Sequence, residues 1–363
     1  MTDRSLDRAS RLPAIDVVRG IAMVIMTLDH ASGAFNRDRL MVDGAAAFSA
    51  DMVLDPLQFV VRWVTHMCAP TFVLLAGVSL ALSVTRRQAA GMEASRIDRD
   101  ILIRGALLVG LDVGWMGWMW RLGLPLQLGV LYAIGMSMIG LIVLRRLPAA
   151  LIGGLGIAVL AGGEAVTSLL DPTTTLAAAT LAGGQVGPIW YLYPFLPWTG
   201  MMLIGWALGV RLVRRGMTAR DWLVLAAIAA ATFAVVRGIN GYGNSELLRR
   251  DGSWVEWLHV SKYPPSLAYA GLELAIAFAL LAAVWRWRAP WRPLVVLGQT
   301  ALFYYCLHAH LLKGVARALG EYRELGLGAT AIAWAAALVA LYPACRWYLG
   351  VKQRHPRSAL RFL

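Results

Sequence analysis

RLPAIDVVRGIAMVIMTLDHAS, from Arg11 to Ser32, is an apolar run of membrane-spanning length that carries, past Arg11 at its start, four ionisable groups, Asp16, Arg19, Asp29 and His30. A plain anchor needs none of them. Asp16, Arg19, Met23, Met26 and His30 follow one another at intervals of 3, 4, 3 and 4 residues, so on a helix they form one stripe. Asp16 and Arg19 mark one end of that stripe and Asp29 and His30 the other, about 20 Å away at 1.5 Å per residue. Ionisable residues inside a spanning helix usually face a polar cavity and mark function. The plainer reading is an interfacial Asp16–Arg19 ion pair, with His30 reaching the far headgroups.

Composition extends this reading to the whole chain. Of 363 residues, 59% are hydrophobic and 15% charged, and the mean hydropathy is +0.61, too apolar for a soluble domain of this size. A net charge of +13 raises nucleic-acid binding, but the arginines fall in short clusters between apolar runs rather than on one basic surface. No nucleic-acid partner is expected. The first apolar run is too long for a signal-peptide core and lacks a following small-residue cleavage site, so it is expected to persist as the first helix. Cys68, Cys306 and Cys345 all fall inside apolar runs, which supports neither a disulfide framework nor a cysteine metal site.

About ten runs suit a hydrocarbon core of about 30 Å. They cover 14–33, 57–84, 100–119, 126–144, 148–167, 190–212, 221–238, 264–286, 293–315 and 326–349. The expected fold is all-α: a polytopic membrane protein with about ten transmembrane helices in one bundle, a single domain over residues 1–363. Basic clusters recur on alternate connections. Arg4, Arg8 and Arg11 precede the first helix, Arg86, Arg87, Arg96 and Arg99 follow the second, and Arg145 and Arg146 the fourth. Arg214, Arg215 and Arg220 follow the sixth, Arg286, Arg288 and Arg292 the eighth, and Lys352, Arg354, Arg357 and Arg361 close the chain. The positive-inside rule puts these, and both termini, in the cytoplasm. His30, His66, Tyr191, Tyr193, Lys262, His308 and His310 then share the outer half, where one pocket can collect them. The outer connections 34–56, 168–189 and 239–263 are long enough to serve as lids or binding surfaces.

Four further segments carry polar groups. RWVTHMCAPTFVLLAGVS places Arg62 and His66 one turn apart, just before Pro70, which is expected to kink the helix and free carbonyls. IWYLYPFLPWTG groups Tyr191, Tyr193 and Trp198 around Pro194 and Pro197, as an aromatic belt also would. WLHVSKYPPSLAY sets Lys262 and Tyr263 before two prolines that suit a helix start; a snorkelling lysine is the plain reading. LGQTALFYYCLHAHLL offers His308 and His310, which two residues apart diverge by about 200° and cannot easily share an ion. No metal site is expected, Tyr305 and His308 share a face, and His310 is assigned a headgroup contact.

These motifs also carry a family resemblance. Arg11, Asp16, Arg19, Gly20, Ala22 and His30 resemble the first-helix signature of the acyltransferase-3 proteins, in which the His is taken as catalytic. The segments at Ala69-Pro70, Tyr193-Pro194, Lys262-Tyr263-Pro264-Pro265-Ser266 and Tyr305 to His308 resemble, in family order, a bacterial branch of the heparan-alpha-glucosaminide N-acetyltransferase family. The resemblance covers most of the chain. It implies a multi-pass enzyme of the bacterial cytoplasmic membrane that moves acetyl from cytoplasmic acetyl-CoA to an amine or hydroxyl of an extracytoplasmic sugar or glycan. By the same resemblance His30 is the catalytic residue, assisted by Asp29; Arg19, Tyr193 and Trp198 meet the donor; Arg62, His66, Lys262, Tyr263 and His308 line the acceptor side. The lysosomal branch has Asn where His30 stands and its catalytic His in the following loop. Residues 31–56 here contain no His, so the role falls to His30, His66 or His308. General-base and acyl-histidine mechanisms both stay open, as does assembly into a homo-oligomer. The rival reading is a proton-coupled transporter of a small solute, which also gathers His, Asp and Arg in a bundle of broken helices, but no related halves are visible.

Overall fold

The computed structural model describes residues 12–49, 51–117, 126–287, 291–355 and 358. Arg4, Arg8, Arg11, Arg121, Arg288, Arg357 and Arg361, and with them both termini, lie outside the described residues. In chain order the main helices are α1 (Pro13–Phe35), α2 (Pro56–Val64), α3 (Cys68–Ala89), α4 (Ala94–Leu111), α5 (Val130–Leu144) and α6 (Ala149–Thr167). They continue with α7 (Phe195–Arg215), α8 (Ala219–Ile239), α9 (Leu267–Trp287), α10 (Arg292–Gln299), α11 (Ala301–Ala318) and α12 (Leu327–Arg354). Prolines set several starts. Pro13 and Pro56 open α1 and α2, where the missing N–H costs nothing, and Asp55 caps α2 by accepting from Gln58 N at 2.8 Å.

Among the described residues, six helices are long and apolar enough to cross a membrane, or seven if α10 and α11 form one bent span. The other runs read as spans are also helical, but shorter or richer in ionisable residues; α1, with Arg19, Asp29 and His30, is one of these.

Several runs differ from their sequence reading: the fourth opens as strand β1 (Leu126–Leu128) with α5 starting at Val130, and α9 starts at Leu267, past Pro264 and Pro265. Helix two is not kinked at Pro70: it breaks earlier, at Thr65–Met67, and Pro70 sits in the first turn of α3, where a missing N–H is tolerated. The sixth run does not begin as helix at 190, because Ile189–Tyr191 is strand β3 and α7 starts only after Pro194. The ninth run bends by 87° at Thr300, between α10 and α11.

The chain forms two compact units. The first comprises the described residues of Met1–Arg37, Thr218–Leu223 and Ala277–Arg361. In it α1 packs on α10, α11 and α12. Small residues let α1 and α10 touch backbone to backbone: a Cβ on Gly20 would lie 2.1 Å from Leu294 O, and one on Gly298 2.0 Å from Asp16 O. Ala31, Ala34, Phe35, Leu312, Ala316 and Ala337 form an apolar core, and Trp334 Nε1 donates to Val24 O at 2.9 Å.

The second unit comprises the described residues of Asp38–Met217 and Val224–Ile276. Here α7 packs on α3 and α6, and α4 on α5. A small sheet joins β1 (Leu126–Leu128), parallel to β3 (Ile189–Tyr191), with β2 (Gly184–Val186) antiparallel on the other edge of β3. The sheet fixes the approach to α7, since Leu128 O accepts from the backbone of Leu192 at 3.1 Å and Tyr193 at 3.3 Å. Asp112 follows α4 and caps α5, accepting from Gly129 N and Tyr132 N at 2.7 Å each.

Candidate active site

In the first unit the polar group centres on two histidines. His308 lies fully buried on α11, and its Nδ1 sits 3.0 Å from the carbonyl oxygen of Tyr304. A carbonyl only accepts, so His308 carries its proton on Nδ1 and presents a lone pair at Nε2. That Nε2 is hydrogen-bonded to His30 Nδ1, which must then be the donor. The chain of bonds leaves the lone pair of neutral His30 on Nε2, with Asp29 Oδ2 3.8 Å from that atom. The His30 side chain is 16% exposed and that of Asp29 14%, whereas His308 is at 0%.

The Tyr304 side chain ties this group to α1. Thr27 Oγ1 donates to Met23 O at 2.8 Å, so the 2.8 Å contact between Thr27 and Tyr304 has the phenol as donor. Tyr305 adds an edge to the His30 ring, with centroids 6.3 Å apart. Toward the start of α1, Arg19 Nη1 lies 3.4 Å from Asp16 Oδ1 and 3.5 Å from Gly298 O, and Gln299 Nε2 donates to Asp16 Oδ2 at 2.9 Å.

In the second unit the centre is Asp43. Both carboxylate oxygens accept from Arg62, with Nε at 3.0 and 2.9 Å, and His66 Nε2 donates to Oδ1 at 3.0 Å. Asp43 and Arg62 are each 6% exposed, so the pair is buried and mutually compensated. Burial opposes ionisation of Asp43, but the Arg62 guanidinium and His66 outweigh it and hold the carboxyl well below the usual carboxylate range. The backbone of the same residue is also engaged, since Asp43 O accepts from Lys262 N at 2.7 Å and Tyr263 N at 3.1 Å. One loop residue thus joins α2, the Thr65–Met67 turn and the start of the Lys262 segment.

A further set of contacts surrounds Tyr269. Its hydroxyl donates to His66 O at 3.0 Å, the carbonyl four residues before Pro70 that Pro70 has no N–H to reach. Its ring meets Trp198 at 6.2 Å, Trp198 meets Tyr193 at 4.8 Å, and the Tyr193 and Tyr263 hydroxyls are 3.2 Å apart. Lys262 is 3% exposed, with its ammonium 5.2 Å from the Tyr263 ring. Glu273, one turn beyond Tyr269, is at 0% exposure with no hydrogen-bond partner on either carboxyl oxygen, and it lies within electrostatic reach of Lys262.

The loop after α8 is organised by Arg237, itself fully buried. Its guanidinium donates to Asn244 Oδ1 at 2.8 Å and to the carbonyls of Leu247, Glu256, Trp257 and His259 at 2.7, 2.6, 3.2 and 2.5 Å. This folds 240–259 back on itself and sets His259 Nε2 2.7 Å from Val42 O. Burial lowers the pKa of His259 despite that bond, so it stays neutral and donates from Nε2.

The sequence-read residues fall in both units. Asp29, His30, Arg19 and His308 belong to the first unit; Arg62, His66, Tyr193, Trp198, Lys262 and Tyr263 belong to the second. Tyr193, assigned to the donor, contacts Tyr263, assigned to the acceptor, and Trp198 reaches them through the Tyr193 ring. Sequence reasoning passed over Asp43, His259 and Glu273. A signal existed for Glu273, the sole acid in the apolar run 264–286. None existed for Asp43, one of four aspartates in a polar loop.

Among the described residues no group of three or more His, Cys, Asp and Glu side chains is placed to hold a metal ion. No curated protein matches the chain by sequence. Residues 11–240, more than half of the chain, match the family model described as heparan-alpha-glucosaminide N-acetyltransferase, catalytic.

Proposed function

The chain belongs to the heparan-alpha-glucosaminide N-acetyltransferase family, and from that premise we propose that it is a transmembrane acyltransferase in which His30 Nε2 is the general base. The donor in this reading is acetyl-CoA and the acceptor an amine or hydroxyl of a sugar or glycan on the opposite membrane face. The observation that carries it is the bond order from the Tyr304 carbonyl through His308 to His30, which leaves a basic nitrogen beside Asp29.

Each residue then has a role that follows from its contacts. His30 Nε2 takes the acceptor's proton as the acceptor nitrogen or oxygen attacks the thioester carbonyl. Asp29 pairs with the imidazolium so formed. The C–S bond breaks, CoA leaves as thiolate, and the proton passes from His30 to that sulfur, so acceptor and acetyl-CoA become acylated acceptor and CoA thiol. His308 touches no reacting atom; it is a positioning residue that holds the tautomer and ring of His30. Arg19 serves the anionic donor, in exchange with Asp16. In the second unit, Arg62 and His66 brace the Asp43 carboxylate, and the Asp43 carbonyl holds the backbone of Lys262 and Tyr263.

The test is direct. Purified protein in detergent, given acetyl-CoA and glucosamine as a probe acceptor, should release CoA thiol without any ion gradient. His30→Ala should lower that rate by about 10² to 10⁴, the usual cost of losing a general base. No acyl transfer by wild-type protein with any amine or hydroxyl sugar would remove the enzymatic reading.

A further inference from the structure

Between α10 and α12, in the first unit, lies an open groove of about 480 Å³ lined by Arg292, Val295, Val296, Tyr342 and Arg346. That volume is in the range of small-molecule sites, about 300 to 1,000 Å³. Its two guanidiniums face no acidic partner among the described residues. Pro343, next to Tyr342, has no N–H for the Val339 carbonyl, which loosens α12 beside the groove.

The surroundings decide which anion the groove suits. Trp291 and Trp347, adjacent in sequence to the two arginines, are 65% and 63% exposed. Exposed tryptophan beside arginine is the pattern of the headgroup level of a bilayer. Ile332, Val339 and Arg346 follow at intervals of seven on α12, so they form one stripe. Ile332 and Val339 are 72% and 74% exposed. The stripe is apolar along its length and cationic at its end. A soluble phosphate compound has no use for the apolar part.

We propose that this groove binds an anionic phospholipid, with Arg292 and Arg346 clamping the headgroup phosphate and an acyl chain lying along Val339 and Ile332. Paired guanidiniums suit a phosphate by charge and by fork geometry, and basic pockets between membrane helices are known headgroup sites. The site is independent of the acyl-transfer reading and of any residue placed in it.

The experiment is native mass spectrometry of the full chain, delipidated and then titrated with phosphatidylglycerol or phosphatidylcholine. Phosphatidylglycerol should be retained in preference to phosphatidylcholine. Arg292→Gln with Arg346→Gln should weaken that retention about 30-fold, since each basic residue near the surface contributes on the order of 1 kcal/mol. Val296→Trp, which fills the groove and keeps both charges, should weaken it as well, with unfolding temperatures unchanged in both variants. Equal retention of the two lipids, or full retention by the double variant, would overturn the proposal. Displacement of phosphatidylglycerol by millimolar CoA would overturn it too, because the anion site would then serve the soluble donor.

Discussion

Replacing His308 with leucine separates a positioning role from a substrate contact. Leucine approximates the volume of the buried ring but offers no acceptor, so His30 Nδ1–H loses the Nε2 that fixes its tautomer and ring orientation. Removing an outer partner of a functional histidine typically costs about 10- to 100-fold in activity, and the unsatisfied N–H costs about 1 to 3 kcal/mol of stability. Turnover should therefore fall by one to two orders of magnitude while KM for acetyl-CoA stays nearly constant. Glutamine at 308 supplies a side-chain oxygen in place of Nε2 and should recover most of the rate. The assay is initial-rate CoA release with glucosamine, at matched folded yield. The double variant with His30→Ala should be no slower than His30→Ala alone, because residues acting as one unit are non-additive. Leucine at 308 within threefold of wild type, or additive losses in the double variant, would refute the tautomer chain.

Three other outcomes follow from the contacts. Asp43→Asn leaves Arg62 buried without its countercharge and should cost about 3 to 5 kcal/mol, read as a lower unfolding midpoint; a further Arg62→Met should restore part of it, and no restoration would mean the pair is not the cause. Since the folded pKa of Asp43 lies below that of an unfolded carboxyl, near 3.9, its contribution is complete above about pH 4 and is lost as pH falls through the folded value. The stability gap between wild type and Asp43→Asn should thus be flat from pH 7 to 5 and close only below about 4; closure already at pH 6 would point to a histidine instead. Gly298→Leu drives a Cβ to 2.0 Å from Asp16 O and should abolish folded yield, while Gly314→Leu, with nothing within 4 Å of its Cβ, should fold normally.

Helix positions were legible because twenty-residue apolar runs have few alternatives in lipid, whereas the breaks were legible only in part. Pro70 announced an interruption but not its place: proline is tolerated in a first turn, so the chain broke before it, at Thr65–Met67. Nothing in GQTAL announced the bend at Thr300, since a glycine and a threonine inside an apolar run are also ordinary helix residues there. His30 stood out by spacing alone. His308 was read into the same outer pocket, but its direct bond to His30 was not, because the meeting of α1 with α11 depends on that bend and on the close approach at Gly20 and Gly298. Asp43 was invisible for a different reason: a loop aspartate acquires meaning only when Arg62 and His66 turn toward it, and no periodicity records that.

Irregular backbone and polar chemistry coincide in both units, and the coincidence has a physical cause. In lipid each unpaired carbonyl costs several kcal/mol unless a side chain or water reaches it, so a broken helix creates polar demand that only specific residues can meet. Tyr269 meets one such demand at His66 O, and the turn that exposes this carbonyl also aims His66 at Asp43. On α11, beyond the Thr300 break, Tyr304 O holds the Nδ1 proton of His308, and the Tyr304 phenol reaches Thr27 on α1. A straight helix through Thr300 would carry Tyr304 and His308 in a different direction from α1, and His30 would then keep its position in the sequence stripe but lose the acceptor that makes Nε2 its basic atom. The break is therefore part of the candidate site in the same sense as the histidines it positions.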